Sequence, residues 1–138
     1  MVVYAKDRKE TATQYIITAQ NLQEKVLRYM MNEKRVPKKW RYLLAHAAIK
    51  KVCELVDNVI ASNKTYPSNE DKLKLRKDYL DKAVVNCYQL GNHLQLMIRV
   101  IDTVDANSLK EISSLLLDEI ELLRKTHKNS HIVGQQEV

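Results

Sequence analysis

Five cations, Lys34, Arg35, Lys38, Lys39 and Arg41, fall within eight residues, with Trp40 and Tyr42 interleaved. Ammonium and guanidinium groups neutralise phosphates and release condensed counterions, an attraction indifferent to base sequence. An aromatic ring set among them can stack on an unpaired base. Lys50 and Lys51 extend the basic run, and Lys72, Lys74, Arg76 and Lys77 form a second cluster. From Lys25 to Lys51 nine Lys and Arg stand against one acid, Glu33, whereas Asp102 to Glu121 holds six acids and only Lys110. With a net charge of +6, this segregation points to an anionic partner, RNA or DNA, for one face and to a basic partner for another. Two plainer readings compete: a solvated loop, and a structural interaction module whose basic face meets an acidic protein.

Other chemistry is sparse. The chain has no GxGxxG, Walker loop, HExxH, CxxC pair or Gly-x-Ser-x-Gly elbow. Cys53 and Cys87 are too few for a disulfide framework, show no metal-ligand spacing, and read as free thiols of a reducing cytoplasm. His93, His127 and His131 form no ligand set, so neither metal nor cofactor is expected. Glu119 sits in an apolar arc with Ile112, Leu115, Leu116 and Leu123; a buried carboxylate there needs a partner, such as a Lys, an Arg or a Tyr hydroxyl. Arg41 and His46 have the R-x4-H spacing that resembles the ribonuclease motif of HEPN helical-bundle toxins. That resemblance implies Arg41 and His46 acting on the scissile phosphate and the attacking 2′-hydroxyl. The Tyr after Arg41 and the early position depart from the pattern, and a solvated histidine is the simpler reading of His46.

The elements that must position these groups are helices. A chain of 138 residues with two glycines, two prolines and no phenylalanine is one domain of helix-favouring residues around a core of Leu, Ile, Val, Ala and Tyr. Periodicity predicts a first helix from Thr11 to about Met31, a second from Pro37 to about Ser62, a third from an N-cap at Ser68 to about Val104, and a fourth from a Ser108–Glu111 capping box to about Lys125. Residues 1–10 read as a flexible segment, 11–126 as the bundle and 127–138 as a disordered tail. Gly91, inside the apolar stripe of the third helix, is expected to permit close helix packing. Short connections predict an all-α, antiparallel up-down-up-down four-helix bundle. No apolar run is long enough for a membrane span, and the N-terminus lacks the apolar stretch of a signal peptide. Apolar residues off the core arcs, Trp40, Leu43 and Ala47 on the second helix and Val85, Leu96 and Val100 on the third, predict a seam between subunits of a homo-oligomer.

Val36-Pro37-Lys38-Lys39, leading into a long Ala- and Leu-rich helix, resembles the bacterial four-helix-bundle family that includes proteins encoded in rRNA intervening sequences and the accessory variability determinants of diversity-generating retroelements. The likeness spans roughly residues 12 to 126. Val59-Ile-Ala-Ser-Asn63 departs from the intervening-sequence branch, which favours the retroelement branch. The resemblance implies a basic, ring-like homopentamer that binds nucleic acid, associates with a reverse transcriptase and supports cDNA synthesis in mutagenic retrohoming without being an enzyme. Its binding positions carry over only to Lys38 and Lys39.

Overall fold

The structure, a computed structural model, describes residues 12–134. The described residues are all-helical, without a strand. Helix α1 is Gln14–Met30. Helix α2 covers residues 38–64 without a break: Lys38–Trp40, a π turn at Arg41–Ala45, then His46–Lys64. Helix α3 is Glu70–Val100 and α4 is Lys110–Asn129. None of them is long and apolar enough to cross a membrane.

Each helix buries a stripe of residues three or four apart, the spacing that returns side chains to one face. In α3 the stripe is Leu80, Ala83, Cys87, Leu90, Leu94 and Met97. In α2 it is Ala45, Ala48, Val52, Leu55, Val59 and Ser62. Helix α1 packs on α2, α2 on α3, α3 on α4, and α4 on α1, which closes one core.

The helix ends show what local sequence missed. Asn69, not Ser68, caps α3, accepting a hydrogen bond from Lys72 N at 2.9 Å. Glu70 and Asp71 follow in the first turn, where the helix dipole favours acids. The Ser108–Glu111 capping box does not form. Asp105 captures Ser108 instead, its carboxylate accepting from Ser108 N at 2.7 Å, while the Ser108 hydroxyl meets that of Tyr29 at 2.6 Å. Glu111 pairs with Lys25 at 3.2 Å. Helix α3 ends at Val100 rather than Val104, because Ile101 turns to extended backbone and buries its side chain.

Helix α4 runs past Lys125 to Asn129, so residues 127–129, expected in a tail, continue the helix. Beyond it Val133 N donates to Pro67 O at 3.0 Å. The expected flexible segment 1–10 and the last residues of the tail, 135–138, lie outside the described residues. Gly91 is not required for close packing: a Cβ there would meet Leu116 Cδ2 at 3.5 Å, an ordinary contact.

Candidate nucleic-acid interface

The basic turn between α1 and α2 is anchored from within. Val36 is fully buried, and its N–H donates to Asn32 O at 2.8 Å. Arg35 and Thr103 grip each other: Arg35 Nη1 donates to Thr103 O at 3.2 Å, and Thr103 Oγ1 donates to Arg35 O at 2.6 Å. Asp105 lies 3.7 Å from the same guanidinium. Arg41 reaches back to α1, donating from Nη2 to Met31 O at 3.1 Å and standing 3.7 Å from Glu33. A cation at a helix C-terminus complements the dipole and satisfies a free carbonyl. Arg35 and Arg41, both expected among the phosphate binders, are thus committed to holding the turn.

The lysines are not so committed. Lys34, Lys38 and Lys39 are exposed and make no ion pair among the described residues; Lys39 Nζ lies 5.5 Å from the centre of the Trp40 ring. Lys50 is exposed as well.

Between Lys39 and Lys50 lies the π turn. Its wider winding holds one residue more than an α turn, so Trp40 stands five residues before buried Ala45, yet on the core side. Trp40 is half-buried against the core, and Ala47 and Leu96 are half-buried too, so these residues of the expected seam do not stand clear of the surface. Leu43, Val85 and Val100 are exposed. Uniform α-helical phase would have aligned Trp40 with Leu43 and Ala47; the π turn separates them. Tyr42 is 83% and Leu43 65% exposed at the crest of that turn. The Tyr42 ring lies nearly parallel to that of His46, at 16° with centroids 6.4 Å apart. His46 therefore faces Tyr42, and it shares no hydrogen bond or ion pair with Arg41.

The second cluster is separate. Ser62 lies about 35 Å along α2 from Lys39 at 1.5 Å per residue, and it is there that Arg76 docks, donating from Nη1 to Ser62 O at 2.7 Å and from Nε to Ser130 Oγ at 3.2 Å. Lys72 and Lys74 are exposed beside it and Lys77 is half-buried. The bundle thus presents two basic poles rather than one patch. Lys51 belongs to neither: it pairs with Glu54 at 3.2 Å. Glu54 accepts weakly from Asn86 at 3.4 Å, and Asn86 Oδ1 accepts from Asn58 at 2.7 Å. The bonds of this polar chain that join α2 to α3 are not legible in the sequence, because Asn58 and Glu54 lie 28 and 32 residues from Asn86.

Glu119 has no partner. It is fully buried, and neither carboxyl oxygen finds a hydrogen bond among the described residues. Among the described residues its expected pairing with a cation or a tyrosine is not found. Burial pushes its pKa up to about 9, so the group is neutral at pH 7. The Cys87 thiol is pushed up by burial and secondarily by Glu119. Among the described residues no three His, Cys, Asp or Glu side chains are grouped to hold a metal ion. Comparison with protein-family models, curated proteins and solved structures finds no match to this chain.

Proposed function

We propose that the protein is a non-catalytic, nucleic-acid-binding accessory protein whose α1–α2 turn and first turns of α2 hold phosphates. The observation that carries this reading is the set of exposed lysines, Lys34, Lys38, Lys39 and Lys50, without carboxylate partners among the described residues, in the segment that bears the outward-facing Tyr42. Local arginines are used up in holding the turn, so the lysines are supplied on a rigid support. Lys72, Lys74 and Lys77 form a second contact region at the other pole.

The arrangement proposed is antiparallel, up-down-up-down. Tyr15 near the start of α1 meets Ser62 near the end of α2 at 3.3 Å, and Tyr29 near the end of α1 meets Ser108 just before α4. Leu43, Val85 and Val100 support a seam between copies in a ring-like homo-oligomer, which would repeat the basic poles by symmetry and raise avidity. A pentameric count, a reverse transcriptase partner and a role in mutagenic retrohoming rest on the family resemblance alone. A cytoplasmic setting rests on two free cysteines.

The test is fluorescence anisotropy with labelled RNA and DNA over a salt series. Wild type binds, and log affinity falls linearly with log salt. Each lost phosphate contact lowers the slope by about 0.7–0.9, so Lys38→Ala with Lys39→Ala weakens binding to all sequences and flattens the slope by about 1.5. Absence of binding at low salt, or a double variant with unchanged affinity and slope, ends the reading. Metal-independent cleavage of RNA that His46→Ala abolishes while binding persists would replace it with the ribonuclease reading.

A further inference from the structure

The π turn places an aromatic ring where a folded protein has no use for it. Tyr42 stands 83% exposed on the π turn of α2, and no hydrogen bond of its hydroxyl is found among the described residues. The His46 ring lies nearly parallel to that of Tyr42, and Leu43, the next residue, is also exposed. Trp40, two residues earlier, is half-buried against the core with Lys39 close to its ring. Of the two aromatics in the basic segment, only Tyr42 therefore offers a free face. From Lys34 to Lys51 there is no acidic residue, and the acids nearest the turn, Glu33 and Asp105, each stand 3.7 Å from an arginine, Arg41 and Arg35.

We infer that Tyr42 and His46 form a stacking platform for unpaired nucleobases, which makes the ligand a single strand, RNA or DNA, running along the first turns of α2. The inference rests on the nucleic-acid reading above and narrows it. Lys38 and Lys39 lie three to four residues before Tyr42, and Lys50 lies four after His46. His46 and Lys50, both in the regular α-helical part of α2, share a face at this spacing, and Lys38 and Lys39 lie in the turn just before the π turn, so cations precede and follow the ring pair along the helix axis. A strand whose bases rest on the rings brings its phosphates to these lysines. In a duplex both faces of every interior base are already covered by neighbours, so a ring on a helix surface finds no face to stack on. Stacking of this kind tolerates any base, because every base has a flat face.

The experiment uses the full chain and four labelled probes of equal length at fixed salt: single-stranded DNA, single-stranded RNA, duplex DNA and an abasic deoxyribose-phosphate strand. Wild type is expected to prefer the single strands over both the duplex and the abasic strand. Tyr42→Ala is expected to weaken single-strand binding by roughly ten-fold, with the salt slope unchanged, and to leave abasic binding as it was. Tyr42→Phe, which keeps the ring, stays within about two-fold of wild type. Circular dichroism and light scattering accompany each variant, and helicity and mass are expected to match wild type. Equal affinity of Tyr42→Ala and wild type, tighter binding of the duplex, or a loss explained by altered mass overturns the platform while the phosphate-binding reading stands. No binding of any probe overturns both. The DNA and RNA arms, compared with each other, report which sugar the platform's strand carries.

Discussion

Glu119 is the residue at which chemistry and packing conflict most. Its carboxyl is fully buried without a hydrogen-bond partner among the described residues, and its pKa is raised to about 9 from an ordinary carboxylate value. The folded state therefore binds this proton more tightly than the unfolded chain does. Its contribution to stability is complete below about pH 4.3, declines as pH rises above that, and is fully lost once pH passes the folded value. At neutral pH the loss is of the order of 3 kcal/mol. Thermal melts of wild type should show a midpoint that falls from pH 6 to pH 9, a fall removed in Glu119→Gln, which cannot ionise. Glu119→Leu should raise stability at pH 8 by a few kcal/mol, since it replaces an unpaired polar group with an apolar one. A midpoint in Glu119→Gln that follows the wild-type curve would show that another group titrates. Cys87, buried and with its pKa also raised, should resist thiol reagents in the folded protein and react only on unfolding.

Helix α2 is the element that converts a core arc into an outward site, and the π turn is the device. Because the turn holds one surplus residue, removing one there restores continuous α-helix without changing the phase of either flank. Deleting Leu43 places Trp40 four residues before Ala45, still on the core side. Such a variant should melt within a few degrees of wild type with Trp40 emission unchanged, while single-strand binding falls because the Tyr42–His46 pairing is disrupted. Deleting Asp57, in the regular part of α2, rotates everything beyond it by about 100° and should abolish cooperative melting. Equal damage from both deletions would mean that the turn carries no surplus residue. In α3, Gly91→Ala should stabilise by about 0.5–1 kcal/mol, because the added methyl finds ordinary contact distance from Leu116; denaturant unfolding measures it.

At the scale of the whole molecule, two basic poles lie at opposite ends of α2, and the α3–α4 connection meets the first of them, with Thr103 and Asp105 against Arg35. The exposed Leu43, Val85 and Val100 lie outside the core and should be covered in an assembly. Light scattering at tens of micromolar protein should give a closed oligomer, and Leu43→Glu with Val85→Glu should dissociate it, since a charge buried at a contact without a partner is strongly unfavourable. A monomeric wild type at that concentration would remove the seam. Dissociation should also reduce nucleic-acid affinity beyond any effect on a single site, because avidity depends on several poles engaging one strand.

The sequence by itself determined the all-helical class, the four helical stripes, the uneven charge and the cations of the α1–α2 turn. These are local or periodic properties: Leu80, Ala83, Cys87 and Leu90 must share a face whatever surrounds them, provided the segment is α-helical. It could not determine which cations remain for a ligand. Arg35 is taken by Thr103, Arg41 by Met31, and Arg76 by Ser62 and Ser130, and the Arg35 and Ser130 contacts join residues far apart in the chain. The Ser108 capping box fails because the Asp105 carboxylate takes the Ser108 N–H, while the Ser108 hydroxyl is engaged by the Asp105 main chain and the distant Tyr29. Trp40 was misplaced for a different reason: counting 100° per residue assumes an unbroken α-helix. Only the packed structure decides where a helix winds wider, because the gain from seating Trp40 against the core must be set against the poorer turn geometry, and that gain exists only once the other helices are in place.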